Sequence, residues 1–497
     1  MMNSKYSNLF IFMLMAASLF AMPSKEPVRQ TSNELRFGLM TEPATLDPLS
    51  SSNTADSRSV LFNVYEGLVK SDTSGRLVPA VAESVEMSSD ARRYTFTLRQ
   101  GLRFHDGSFV QIEDLEFSIN EARKQNYIGL AQIETVELSG NRIITIVLRA
   151  PDPDFLPYLT FGIVPRNNAD RERNPIGTGP FMIERHLPQQ QLSLVKNPHY
   201  WQPGVPRLDR VVVLFASDSS ALYTGLEGGN LDGAMITADL IEKLDTRRYN
   251  ILSGYSNSVQ LLALNNSVRP FNDIRVRHAI NYAVDVREII DTAFYGRGEP
   301  SGSPLIPGLE LYYNEALRNT YPADLTRARA LMAEAGYSNG FSMEIKVPSN
   351  YTMHVDTAQV IVNQLARINI RATIRLVDWA TWLTDVYRGR NFEATIVSFD
   401  GNTLSPQSFL SRYVSTASGN LFNFNNSRYD SLYASILRET SEANRISLYK
   451  DAQKLISDEA PAVFIQDIYA FKVFSGGFRG AVNYPLYVID FSTIYRD

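Results

Sequence analysis

The chain has 497 residues, of which 44% are hydrophobic and 20% charged, with a formal net charge of −5 and no cysteine. At roughly 150 residues per domain this is material for about three globular domains, large enough to fold without covalent staples. The acidic balance and the lack of a basic tract exclude nucleic acid and anionic lipid as expected partners. The missing thiols exclude disulfides, thiolate metal sites and cysteine nucleophiles. The 25 tyrosines and 26 phenylalanines suit either large cores or an aromatic-lined ligand cleft.

Lys5 precedes the apolar run LFIFMLMAASLF (9–20), and the small residue Ala21 follows. This is the n-region, h-region and cleavage pattern of a signal peptide over 1–21, too short to span a bilayer. No later stretch reaches about 18 apolar residues. With no cysteine to carry lipid, the product is expected to be exported and unanchored, in the periplasm first and the extracellular medium second. EPVRQTSNE (26–34) reads as a leader and LRFGLM (35–40) as a strand.

YTFTL (94–98) alternates Tyr94, Phe96 and Leu98 on one face, and RIITIVL (142–148) does the same with Ile144, Ile146 and Leu148. HDG (105–107) is turn chemistry, LDRVVVLF (208–215) a strand, and SSALYTGLEGG (219–229) a helix started by Ser219 and stopped by glycine. SMEIKV (342–347) alternates as a strand. TAQVIVNQLARI (357–368) lines Ala358, Ile361, Val362, Leu365 and Ile368 along one helical face, with Asp356 as the expected N-cap. RATIRLV (371–377), WATWLTDVYRG (379–389) and FEATIVSF (392–399) continue as strand, helix and strand. This order predicts parallel pairing with right-handed crossovers.

Open α/β sheets bind ligands outside the carboxyl ends of their strands. VSFDGNTLSP (397–406) is such an end, with Asp400 and Asn402 two residues apart and so directed the same way in extended chain. A lone loop aspartate usually serves a turn or cap. The functional alternative is a ligand's ammonium group, worth roughly 1.5–3 kcal/mol per charge-assisted bond. Trp379, at a helix start after a strand, is placed to close over a ligand or to pack. Trp201, in KNPHYWQPG (196–204), reads as structural.

Other motifs carry less. GYSNG (336–340) matches G-x-S-x-G, but a nucleophile elbow needs strand before serine and helix after. Here the helix DLTRARALMAEAG (324–336) comes first and Gly336 serves as its C-cap, so Ser338 is not expected to be catalytic. The five histidines (105, 186, 199, 278, 354) form no HExxH, and there is no phosphate-binding glycine loop. His354, near a helix start, is expected to be a surface or cleft hydrogen-bonder.

Taken in order, EPATLDP (42–48), VYEGLVKSD (64–72), LVPAVAESVEMSSDARRYTFTLRQGLRFHDG (77–107), PIGTGPF (175–181), KNPHYW (196–201), PFNDIRVRHAINYAVD (270–285) and ARALMAEAGYSNGF (328–341) resemble one family. It is that of the large periplasmic solute-binding proteins of peptide, oligopeptide and nickel ABC importers, and the resemblance covers residues 35–497. It implies a periplasmic binding protein-like α/β fold, two lobes joined by a hinge, plus an inserted domain. The discontinuous lobe I would comprise 31–51, 172–262 and 470–497, the insert 52–171 and lobe II 263–469. It further implies a non-enzymatic, monomeric receptor without cofactor, which passes a peptide or small-molecule ligand to ABC permease subunits.

In peptide-binding members an aspartate shortly before a proline in this loop meets the ligand's α-ammonium. Counting back from Pro406, that position here is Asn402, and Asp400 stands two residues earlier. Phe399 and Trp379 match the family's aromatics. With Gly401 and Thr403 they complete the expected ligand set of Asp400, Asn402, Trp379, Phe399, Gly401 and Thr403, with no catalytic or metal residues. A di- or oligopeptide is the first expectation. Sugars, opines and metal complexes stay open, as does a chaperone or adhesin role, and nickel stands below peptide.

Overall fold

In a computed structural model, the structure describes residues 33–50, 55–401, 405–486 and 488–497. The segment 1–21 expected to be a signal peptide, Asn402 and Thr403 lie outside the described residues.

Two long antiparallel strands, Tyr249–Leu264 and Ala462–Ser475, organise the fold. Their pairing runs from Tyr249↔Ser475 to Tyr255↔Tyr469, breaks, and resumes from Val259↔Asp467 to Ala263↔Ala462. On one side of the break, Gly233–Ile236 joins Ala462–Ser475. Glu34–Leu39 then pairs parallel with both Gly233–Ile236 and Arg210–Phe215, and the meander Gln191–Lys196 and Phe181–Leu187 completes lobe I. On the other side, Ala394–Asp400 joins Tyr249–Leu264 from Ser258↔Asp400 to Leu264↔Ala394.

Lobe II is the β-α-β-α-β unit read from the sequence. Ser342–Pro348 pairs parallel with both Arg371–Val377 and Ala394–Asp400. Helices cover both faces of this half-sheet, so Val259–Leu264 is buried at every position, as a doubly covered strand requires. One face packs Tyr413, Tyr429, Tyr449 and Phe464, and the other packs Ile280, Ile361 and Leu365 against Ile345 and Ile396.

The insert is a four-stranded antiparallel sheet in the order Ala82–Met87, Arg93–Leu98, Ile143–Leu148, Ile133–Ser139, backed by the helix Ile112–Lys124. The alternating residues Tyr94, Phe96, Leu98, Ile144, Ile146 and Leu148 are all buried. They share one continuous core with the lobe I strands and the C-terminal segment, where Phe37 meets Phe474 and Phe491 at 5.4 and 5.5 Å between ring centroids. The insert is therefore packed as one body with lobe I.

Three local expectations are corrected. The helix expected from Thr357 spans Thr352–Ala366 with Tyr351 at its N-cap. Pro348 ends the strand, the helix starts within one turn of it, and Asp356 lies inside the helix rather than capping it. The helix Ser219–Glu227 is capped by Asp218, whose carboxylate accepts from Ala221 N, and not by Ser219. The segment at 379–389 is one α-turn, Trp379–Thr381, capped by Asp378, which widens into a π-helix over Trp382–Arg388. Such widened turns are uncommon and concentrate at functional sites.

The register break is a built feature. Asn257 sits in the left-handed region at φ 62°. The buried Asp467 side chain accepts hydrogen bonds from Ser256 N and Ser256 Oγ, both at 3.0 Å, and so replaces the missing ladder. Burial pushes the Asp467 carboxyl up to about 7, the Ser256 hydrogen bonds oppose that rise, and the Asp400 charge adds to it. The folded protein thus holds the Asp467 proton more tightly than the unfolded chain, where the value is 3.8. This contribution to stability falls as pH rises from about 4 to about 7 and is then fully lost. Asp467→Asn is expected to raise the melting temperature at pH 8 and to flatten its pH dependence between 4 and 7, as read by calorimetry.

Candidate functional site

Between the lobes lies a cavity of about 1840 Å³ whose lining includes Ser256, Asn257, Ser258, Ile468 and Tyr469 at the strand crossing. Drug-sized ligands occupy roughly 300–1,000 Å³, so this space suits a larger solute or a short chain. One wall comes from lobe I and the insert, and the other from the starts of the lobe II helices and the tip of Ala394–Asp400.

Asp400 lies at that tip, exposed and lining the cavity, as do Ser398 and Gly401. Gly401 is clamped to the strand crossing: its N–H donates to Asn257 O at 2.9 Å, and Asn257 Nδ2 donates to Gly401 O at 2.6 Å. A Cβ at 401 would stand 2.6 Å from the Phe409 ring and 2.8 Å from Asn257 Oδ1, so only glycine fits this approach. Phe399 goes elsewhere. It is 7% exposed, packs edge-on against Phe422 and lies under the Arg412 guanidinium in the lobe II core. Strand alternation turns it away from the side chain of Asp400, and it does not line the cavity.

Trp379 lines the cavity at 37% exposure. It stacks on Trp382 at 5.0 Å and 3° and meets Tyr351 edge-on at 5.4 Å. Trp382 is buried, and its Nε1 donates to Thr395 Oγ1 at 3.0 Å, which fixes the pair as a rigid shelf. Trp201 serves structure. Its Nε1 donates to Glu66 Oε2 at 2.7 Å, and the Arg99 guanidinium lies 3.8 Å above its ring.

The cavity is acidic. Among the described residues, Glu66, Asp72, Asp218, Asp239, Asp356, Asp400 and Asp490 line it, against Arg58, Lys70 and Arg297. Lys70 is already paired with Glu66 and Arg297 with Glu242. Burial raises the Asp356 carboxyl of lobe II, and the Asp239 charge of lobe I raises it further, so two acids from opposite lobes repel across the gap. Seven carboxylates against three cations in a partly desolvated space favour a ligand that brings positive charge.

His354 is a donor that the sequence reading placed only loosely. It is 3% exposed, inside its helix, and lines the cavity. Thr357 Oγ1 donates to Met353 O and accepts from Gln260 Nε2 at 3.0 Å, and the same amide nitrogen lies 3.0 Å from His354 Nδ1. This network makes Nδ1 the acceptor and leaves Nε2–H as the ring's donor. Gln466 Nε2 donates to Gln260 Oε1 at 2.9 Å, which ties the ring to the second crossing strand. Spacing showed none of this, because the residues lie on three separate elements. Ser338 lies exposed in the turn after Leu325–Glu334, remote from the cavity lining. Among the described residues no three metal-ligating side chains come together.

Two α/β lobes, a two-strand crossing and a large interlobe cavity are the architecture of a two-lobed solute receptor. The model of the bacterial extracellular solute-binding proteins, family 5, matches residues 76–420, and the chain belongs to that family. It is 28% identical over 471 residues to heme-binding protein A of Haemophilus influenzae, covering 85% of each chain. It is 26% identical over 447 residues to the glutathione-binding protein GsiB of Shigella flexneri serotype 5b, covering 84% of this chain and 85% of that one. Among solved structures, AgaA of A. tumefaciens R10 in complex with agropinic acid shares 27% identity at a TM-score of 0.75, over 93% of this chain and 99% of that one. These relatives carry solute-binding descriptions. No described helix is long and apolar enough to cross a membrane.

Gly401→Ala is expected to cost about 1–3 kcal/mol by overpacking, measured as a lowered urea midpoint at unchanged slope. Burial holds the His354 imidazole down at about 4. Its ring resonances should therefore stay those of the neutral form from pH 5.5 to 8 in an NMR titration.

Proposed function

We propose that this family 5 solute-binding protein is the periplasmic receptor of an ABC importer and that it captures a di- or oligopeptide. The observation that carries this reading is Asp400 at the strand tip, within an acid-rich cavity roomier than a small metabolite needs. Asp400 takes the α-ammonium, with Asn402, Gly401 and Thr403 supplying the rest of its loop. The Trp379 shelf receives a side chain, and His354 donates to a backbone carbonyl. The relative named for glutathione, itself a small peptide, agrees with such a ligand.

Lobe I (31–51, 172–262, 470–497) with the insert (52–171) forms one jaw, and lobe II (263–469) the other. The mature chain acts as a monomer, exported by its 1–21 signal and not lipid-anchored, and hands its load to the membrane permease. A non-peptide solute is the competing occupant. Asn402 at the family's acid position favours it, and the heme- and agropinic-acid-binding relatives show that the scaffold takes such ligands.

Mass spectrometry of whatever mild denaturation releases from the purified protein separates the two readings, and a ladder of peptides is expected. Calorimetric titration with short peptides and their N-acetylated forms should show that acetylation abolishes most of the affinity. Asp400→Asn should weaken binding of the free-amine forms about tenfold or more, the loss of one charge-assisted bond. Equal binding of acetylated and free peptides would overturn the Asp400 assignment.

A further inference from the structure

The insert carries PDPDF at 151–155, and Asp152 and Asp154 there are each only 7% exposed. Their own domain holds them rigidly. Tyr94 OH donates to Asp152 O, Gln132 Nε2 donates to Asp152 Oδ2 at 2.8 Å, and Asp154 N–H donates to Asp152 Oδ1 at 3.0 Å. The groups that complete them come from the other jaw. Arg445 and Tyr449 stand one turn apart on the lobe II helix Glu442–Glu459. Arg445 Nε lies 3.3 Å from Asp154 Oδ1, a charge contact rather than an aligned hydrogen bond, and Tyr449 OH donates to Asp154 Oδ2. Gln407 Nε2 lies 3.3 Å from both Asp152 Oδ1 and Asp154 Oδ2. None of the five side chains lines the ligand cavity, and none is more than 8% exposed.

The two sides belong to different cores. The insert shares its core with lobe I, whereas Tyr449 packs in lobe II. The chain passes between the jaws only along the two crossing strands, whose register breaks at 256–258. Rotation at that break parts Asp152 and Asp154 from Arg445, Tyr449 and Gln407, because each set is fixed to its own jaw. Asp152 keeps Gln132 and the Asp154 N–H as partners within the insert, whereas the carboxylate of Asp154 meets Tyr449, Gln407 and Arg445 across the jaws, and opening must rehydrate it. Gln407 also follows the site loop directly: its N–H donates to Ser405 Oγ at 3.2 Å. Gly401 is thus held by Asn257, and Gln407 by the insert.

We propose that Asp152 and Asp154 of the insert, with Arg445, Gln407 and Tyr449 of lobe II, form an interlobe latch. It lies outside the ligand cavity, holds the two jaws closed and fixes Gln407, close after Asp400 in sequence. The latch sets the ligand-free balance between open and closed forms, and through it the apparent affinity for any ligand that binds the closed form. It does not depend on which solute the cavity takes, so its test needs none.

The chain has no cysteine, so Asn141→Cys in the insert and Ser447→Cys in lobe II give a clean nitroxide pair for pulsed-EPR distances across the jaws. A second pair, Asn339→Cys and Ser447→Cys, lies within lobe II. The protein is refolded from urea to strip any carried ligand. Asp154→Asn and, separately, Tyr449→Phe are expected to move the cross-jaw pair to a longer and broader distribution. The closed-to-open ratio should fall about tenfold, equivalent to 1.4 kcal/mol, while the within-lobe pair is unchanged. Tyr449→Phe keeps the ring and its packing, so it decides the matter even if Asp154→Asn fails to fold. A cross-jaw distribution identical to the parent's would overturn the latch, and so would a shift that appears equally in the within-lobe pair.

Discussion

Everything in this molecule hangs on one antiparallel pair of strands, Tyr249–Leu264 and Ala462–Ser475, which runs through both lobes. A continuous ladder would make the lobes one stiff body. The ladder instead breaks between Tyr255 and Val259, and the side chain of Asp467 takes over the bonding of Ser256. The break lies at the cavity wall, where Ser256, Asn257 and Ser258 line the space. The buried carboxylate that bridges it costs stability when ionised, a cost placed beside the cavity.

The walls of that cavity carry charge. Carboxylates facing one another across a gap repel more strongly as the gap loses water, because their interaction grows as the effective dielectric falls. Asp239 and Asp356 stand in this relation, with Asp400 on the lobe II wall. On the proposed reading, a cation between the jaws would relieve this repulsion and an uncharged solute would not. The Trp379–Trp382 pair on the same wall is held in place because Trp382 is both buried and hydrogen-bonded. Family membership alone does not name the ligand, since one scaffold serves many solutes through a few side chains.

Buried polar groups connect the site to its surroundings in two directions. His354, Gln260 and Gln466 form a chain from the cavity wall to the hinge strand next to Asp467. Asp152 and Asp154 reach from the insert to the helix that follows the site loop. In both cases groups are satisfied by partners far away in sequence. The first network fixes a helix of lobe II to the crossing strands, and the second joins the insert to lobe II.

Much of this was legible in the amino-acid order alone. Period-two alternation at 94–98 and 142–148, and the strand–helix succession from 342 to 399, identified elements and buried faces because these depend on local geometry and hydrophobic periodicity. The position of Asp400 at a strand's carboxyl end followed from the same succession. Helix starts were misread at Ser219 and Asp356, where a neighbouring residue competed for the cap or the helix began sooner. That Phe399 faces away from Asp400 follows from strand alternation, but its packing against Phe422 and Arg412 needed the tertiary structure. The register break at 256–258, the donor at His354 and the meeting of Asp154 with Arg445 and Tyr449 were not legible at all. The sequence by itself determined which segments form strands and helices, and which of their faces must leave water. Only the tertiary structure decided which polar groups meet across the lobes, because such meetings depend on distances between elements hundreds of residues apart, and no local pattern records them.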